Sequence, residues 1–326
     1  MDVRLKPTPL CQHDFIVEYF RWGKATSSIP HACSRHAETL ASRLVGMTNV
    51  LHSIEFGSSH EGDPIVFLGS LGANAWFWSP QLDTFSHHRR VIAIDHPGHG
   101  SSELFDAHSV AEFAELVLAI LDDRGVDHFQ LVGLSLGGAV AQYLGAHSDR
   151  VTSLALLSTN AKFGTPDAWT SKAESVREGG LHDANSATIN NWFTEDWRNE
   201  NPASLAYVLH LMDQTPAEGY ARACEALSTW DNWDGLKDIS VPTLVVPGGH
   251  DAGCTPEVMS KMAEAIPNST YTVIESAAHL SNVEAEEEVT ALLARHFGIA
   301  DDGLLKDDSE SYHEQHPTEV FSDIDE

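Results

Sequence analysis

The sequence predicts an α/β fold, a mostly parallel sheet with helices on both faces and a helical segment inserted over it. Three observations carry this expectation. From Val50 onward β-type and α-type segments alternate, the pattern of parallel strands joined by crossover helices. At Phe129-Gln130-Leu131-Val132-Gly133-Leu134-Ser135-Leu136-Gly137-Gly138-Ala139-Val140 a β-type run meets a helix-type run with a serine between two glycines, and a strand-turn-helix of this kind lifts a hydroxyl clear of the sheet. Between about Asn160 and Asp238 the alternation gives way to Trp-rich, helix-like sequence cut by Pro166, Pro202 and Pro216, which predicts several short helices in place of one connecting helix.

Taken in order, residues 1–46 mix Pro, Ser, His and charge without a sustained period and are expected to form an extension outside the folded body. Cys11, His13, His31, Cys33 and His36 are metal-ligand types, but they do not make two matched pairs at ligand spacing, so no metal is expected there. The body is expected to comprise residues 47–159 and 239–300, with a helical lid at 160–238. Met47 to Phe56 reads as an opening strand, and Ile65 to Leu68, Val91 to Ile94, Phe129 to Val132, Val151 to Leu157, Thr243 to Val246 and Tyr271 to Ile274 as the strands that follow. Ser109 with Glu112 makes a capping box, and Phe113, Leu116, Val117, Ile120 and Leu121 form one apolar helical face. Val289, Leu292, Leu293 and Phe297 do the same near the end of the body. The tail, 301–326, clusters acids and has few apolar residues, so it is expected to stay unpacked.

Composition narrows the partners. The chain has 326 residues, 42% of them hydrophobic, enough for a sizeable core, and no apolar run long enough to cross a bilayer. With 19 basic and 48 acidic residues the formal charge is −29, which opposes nucleic acid and anionic membrane and leaves a small molecule as the expected partner. The first ten residues lack the apolar segment of a secretory signal, and the four cysteines are far apart; a cytoplasmic protein with free thiols is expected.

A serine hydroxyl needs a base to take its proton, and the base needs an acid to hold its tautomer. After the strand at Thr243 comes Pro247-Gly248-Gly249-His250-Asp251, and after the strand expected at Tyr271 comes Glu275-Ser276-Ala277-Ala278-His279. The order Ser135, Asp251, His279 is the one expected for α/β-hydrolases. Backbone N–H groups of Leu136 and of Leu71, in Phe67-Leu68-Gly69-Ser70-Leu71-Gly72, are the expected oxyanion donors. His250 is adjacent to its own orienter and cannot easily reach a distant serine. His99, in Asp95-His96-Pro97-Gly98-His99-Gly100, is expected to brace the turn after its strand, and Cys254, without base or elbow of its own, is read as structural.

From Leu51 to Phe297, about three quarters of its length, the chain resembles the 3-oxoadipate enol-lactonases of the α/β-hydrolase superfamily. The motifs are Ser70-Leu71-Gly72 with Trp78 following, Gly133-Leu134-Ser135-Leu136-Gly137-Gly138, Phe163-Gly164-Thr165-Pro166-Asp167-Ala168-Trp169, Trp192-Phe193-Thr194, Glu218-Gly219-Tyr220 with Cys224, and Ala278-His279-Leu280-Ser281-Asn282-Val283-Glu284. The resemblance implies hydrolysis of a carboxylated enol-lactone without a cofactor, in catabolism of aromatic compounds. Two departures are the absence of an arginine before the glycine in Asp95 to Gly100 and the amino-terminal extension. A carboxylesterase or a carbon-carbon hydrolase of ring-cleavage products would share the triad and differ in the lid. Dehalogenases and epoxide hydrolases of this fold carry aspartate where Ser135 stands, and a non-catalytic ligand receptor need not keep all three triad positions. Trp192, Trp197 and Arg198 are the expected substrate contacts, Arg198 for the free carboxylate. The other candidate cations of the lid are Lys162, Lys172, Arg177 and Arg222.

Overall fold

In the computed structural model, residues 51–299 are described; the expectations for 1–46 and 301–326, and the start of the first predicted strand, lie outside them. Among these residues seven strands form one sheet in the order β1-β3-β2-β4-β5-β6-β7: β1 Ser53–Phe56, β2 Ile65–Leu68, β3 Val91–Ile94, β4 Phe129–Leu134, β5 Val151–Leu157, β6 Thr243–Val246 and β7 Ser269–Tyr271. Only β1 runs antiparallel, against β3; the other pairings are parallel. The continuous apolar runs of β2, β3 and β6 are buried throughout, as strands covered on both faces must be.

Alternation of side chains divides the core in two. Val66, Leu68, Ile92, Ile94 and Leu131 join one cluster with helices α2 Val110–Asp123, α3 Leu136–His147 and α9 Pro256–Ala265. Ile65, Phe67, Val91, Ala93 and Val132 point the other way, to α1 Ser79–Ser86 and α11 Glu286–His296. Each fully buried side chain of this size contributes about 1.5–3 kcal/mol, so the two faces hold the sheet in the middle layer. The face expected of α2 is buried along its length, and its capping box is present with one change. Ser109 Oγ accepts the Glu112 N–H at 3.2 Å, while the Glu112 carboxylate reaches past Ser109 to the His108 N–H at 2.8 Å.

The last strand differs from expectation. It ends at Tyr271, where the expected strand began, because its partner β6 runs into Pro247, which has no N–H to extend the ladder. Beyond that point the pairing is irregular: the Thr272 N–H donates to the Val245 carbonyl at 3.1 Å, the Ile274 N–H to the Pro247 carbonyl at 3.0 Å and the Gly249 N–H to the Ile274 carbonyl at 2.8 Å, around an isolated bridge between Gly248 and Ile274.

Between β5 and β6 the chain forms α4 Pro166–Gly179, α5 His182–Trp192, α6 Glu195–Glu200, α7 Pro202–Met212 and α8 Ala217–Ser228. Pro166 and Pro202 open helices and Pro216 caps one, the positions where a missing N–H costs least. Short α10, Ser281–Glu284, precedes α11. No described helix is long and apolar enough to cross a membrane.

Candidate active site

Ser135, Asp251 and His279 follow β4, β6 and β7, at the carboxyl ends of parallel strands on the same side of the sheet, where open α/β sheets place their ligands. Ser135 occupies φ 57° and ψ −114°, a left-handed conformation that costs a non-glycine residue about 1–3 kcal/mol and persists only where its surroundings hold it. The flanking glycines explain how. A Cβ on Gly133 would lie 2.3 Å from the Gly137 carbonyl oxygen, one on Gly137 2.3 Å from the Leu68 carbonyl oxygen, and one on Gly138 2.4 Å from Thr159. The Ser135 N–H donates to Leu157 at 3.1 Å and its carbonyl accepts the Thr159 hydroxyl at 2.8 Å.

His279 and Asp251 are brought together directly, Nδ1 to Oδ2 at 2.7 Å. Because the carboxylate can only accept, the proton lies on Nδ1 and Nε2 is left as the basic nitrogen. Burial works to raise the Asp251 carboxyl, but the His279 charge, its hydrogen bond and the N–H groups of Cys254 and Gly253 outweigh it and hold the group below the usual range. Among the described residues Ser135 Oγ has no hydrogen bond to His279; such contacts commonly tighten only around substrate. Asp251, Cys254 and His279 have potential ligand atoms within 4.8 Å of one another. Yet Asp251 already serves His279, Gly253 and Cys254, and burial beside Asp251 pushes the Cys254 thiol well up, which leaves an inert thiol beside an Asp-His pair.

The N–H groups of Leu71 and Leu136 have no backbone acceptor among the described residues. Between them, Gly69 is fixed by two donors to its carbonyl, the Gly137 N–H at 2.9 Å and His96 Nε2 at 2.9 Å. His96 is fully buried; burial and the neighbouring His99 lower its pKa to about 3, so it stays neutral with its proton on Nε2. This brace on the loop that carries Leu71 was not singled out in the sequence, because a side chain bonded to a distant carbonyl leaves no local pattern. His99 bonds the Pro97 carbonyl at 3.0 Å, while Asp95 gathers the loop by accepting from Ala75 N, Ser101 N and His52 Nδ1. His250 is exposed.

The inserted helices reach the site at two places. The Trp192 ring stacks over His279 with centroids 6.4 Å apart, and the Trp192 carbonyl accepts the Leu280 N–H at 3.0 Å. Glu284, which the sequence reading names only as the end of the His279 motif and gives no role, joins the two motifs: one oxygen accepts the Thr194 N–H and the other the Ala278 N–H, at 2.9 and 2.7 Å. Trp197 stacks on Phe193 with centroids 4.2 Å apart. Arg198 donates to the Thr194 carbonyl at 3.3 Å and to the Asn190 side chain, so its guanidinium is engaged within the insertion.

Residues 65–292 match the Alpha/beta hydrolase family. The chain belongs to that family. As an α/β-hydrolase it is 34% identical to 3-oxoadipate enol-lactonase 1 of Acinetobacter baylyi over 72% of this chain and 89% of that one. It is 30% identical to the (E)-2-((N-methylformamido)methylene)succinate hydrolase of the same organism, over 70% of this chain and 88% of that one. Among solved structures it is similar to the enol-lactonase of Burkholderia xenovorans LB400, with TM-score 0.74 and 33% identity, over 76% of this chain and 96% of that one. The chain is an enzyme, a hydrolase acting on a small molecule.

Proposed function

We propose that this hydrolase opens 3-oxoadipate enol-lactone to 3-oxoadipate through Ser135, His279 and Asp251, in the catabolism of aromatic compounds, and that it acts in the cytoplasm. The observation that carries the reading is the Asp251–His279 pair at 2.7 Å, set at the same sheet end as a serine on a left-handed strand-to-helix turn; the enol-lactonase relatives supply the substrate class. Ser135 Oγ attacks the lactone carbonyl as His279 Nε2 takes its proton, and the oxyanion falls to the N–H groups of Leu71 and Leu136. Collapse breaks the ring C–O bond, and His279 returns the proton to the enolate oxygen. Water deprotonated by His279 then releases Ser135, and tautomerisation of the enol to the ketone draws the sequence forward. No cofactor takes part. Trp192, stacked on His279, lies beside the base, and Trp197 stacks on the adjoining Phe193.

Incubating purified protein with the enol-lactone, with a neutral aryl ester and with a vinylogous ring-cleavage diketone tests the reading, the products being identified by mass spectrometry. Stoichiometric 3-oxoadipate is the expected product. Turnover confined to the aryl ester would favour a carboxylesterase, turnover confined to the diketone a carbon-carbon hydrolase, and none on any substrate a ligand receptor.

A further inference from the structure

A carboxylated lactone entering a protein of formal charge −29 needs a cation or a cluster of N–H donors at its free carboxylate. The inserted segment carries six cations, of which Lys237 is exposed just ahead of β6 and most of the others are engaged. Lys162 pairs with Asp231 at 2.8 Å, Arg177 with Glu218 and Glu225 at 2.7 and 2.6 Å, and Arg222 with Glu218 and Asp106, both at 3.0 Å. Arg198 bonds Asn190 and Thr194. Lys172, on α4, has no carboxylate partner among the described residues. Its ammonium lies 5.3 Å from the Trp169 ring centroid and 5.4 Å from that of Tyr220, on α8.

Tyr220 is buried and borders the oxyanion loop, since a Cβ on Gly72, the residue after Leu71, would stand 3.1 Å from Tyr220 Cε2. The Thr215 hydroxyl donates to the Gly72 carbonyl at 3.3 Å and fixes the approach to α8 from the same side. Trp169 is held in turn by its Nε1–H, which donates to the Phe163 carbonyl at 2.7 Å. The motifs at 163–169 and 218–220 therefore converge on one ammonium, two aromatic rings and the edge of the oxyanion loop. Cation–π contacts orient a lysine without neutralising it, so the charge stays available to an anion. In the enol-lactone the carboxylate sits on a short arm across the ring from the reacting carbonyl, so a substrate held at Leu71 and Leu136 would carry its anion toward this side of the loop.

We infer that Lys172, held between Trp169 and Tyr220, is the specificity-determining cation that receives the substrate carboxylate; this rests on the reaction proposed above. The test compares kcat/KM for the enol-lactone and for a neutral aryl ester in the wild type, Lys172→Met, Lys172→Arg and Arg198→Ala. Lys172→Met is expected to raise KM for the lactone tenfold or more while leaving aryl-ester turnover within about twofold, as loss of a charge-assisted contact implies. Lys172→Arg should recover part of the loss, and Arg198→Ala should change both substrates alike. Retained aryl-ester turnover also reports that the Met variant is folded. Equal losses on both substrates, or an unchanged lactone KM, would overturn the assignment of Lys172 while leaving the proposed reaction intact. A wild type that hydrolyses the aryl ester and not the lactone would instead overturn the reaction, and the inference with it.

Discussion

Ser135, Asp251 and His279 lie far apart in the chain, and the case for them as a unit rests on loops that follow three strands of one sheet. Because such a unit fails when any member is lost, Ser135→Ala, Asp251→Asn and His279→Ala are each expected to lower kcat about a thousandfold or more. His250→Ala should be mild, since that side chain is exposed outside the Asp-His pair. A fluorophosphonate probe should label Ser135, read by peptide mapping, and labelling elsewhere with Ser135 untouched would remove it as nucleophile. Gly137 tests the backbone: Gly137→Ala sets a methyl 2.3 Å from the Leu68 carbonyl oxygen, where main chain must shift, so a loss of roughly 2 kcal/mol or more is expected in urea unfolding. Residues that act through local spacing, such as Gly133 and Gly137 around Ser135, were legible in the sequence. His96 and Glu284 were not, because their partners are a carbonyl and N–H groups set by tertiary packing, and only the assembled loops bring them within reach.

At the scale of elements, the strands and the helical stripes were legible because burial on one or both faces writes a period into the sequence. The end of β7 was not, because it is set by Pro247, just past the end of the neighbouring strand, rather than by its own residues. Glu284 couples the inserted helices to the His279 loop through Thr194 and Ala278. Glu284→Ala should therefore lower kcat on both lactone and ester tenfold or more, beyond any change in melting temperature, and an unchanged kcat would show that the coupling does not position the base. A second junction joins α8 to the loop after β3: His108 bonds Glu225 at 2.8 Å and Asp106 at 3.0 Å, with Arg222 also facing it. Partial burial and the Arg222 charge disfavour protonated His108, but the two carboxylates prevail and its pKa is raised above the usual 6.5. A group raised on folding stabilises fully below its unfolded pKa and loses that contribution as pH rises through the folded value. Hydrogen exchange in α8 should accordingly quicken above pH 6.5 by more than the intrinsic rate requires, and His108→Gln should abolish that excess.

The whole molecule is strongly acidic, and its formal charge of −29 sets how an anionic substrate must be met: by a local contact, against the long-range field. Added salt should thus help the lactone approach by screening the field while weakening any charge-assisted contact inside the site, so the aryl ester serves as the reference for both. A chain beginning at Met47 is expected to fold and keep its turnover, because residues 1–46 lack the periodic apolar face that would join the core; a marked fall in melting temperature or rate on their removal would contradict that. The central claim, a serine hydrolase selective for a carboxylated enol-lactone, is tested most directly by kcat/KM for 3-oxoadipate enol-lactone beside a neutral aryl ester in the wild type and Ser135→Ala. The expected result is a wild-type preference for the lactone of about tenfold or more, with both activities falling about a thousandfold in Ser135→Ala. A wild type that prefers the neutral ester, or a Ser135→Ala variant that still opens the lactone at the wild-type rate, would contradict it.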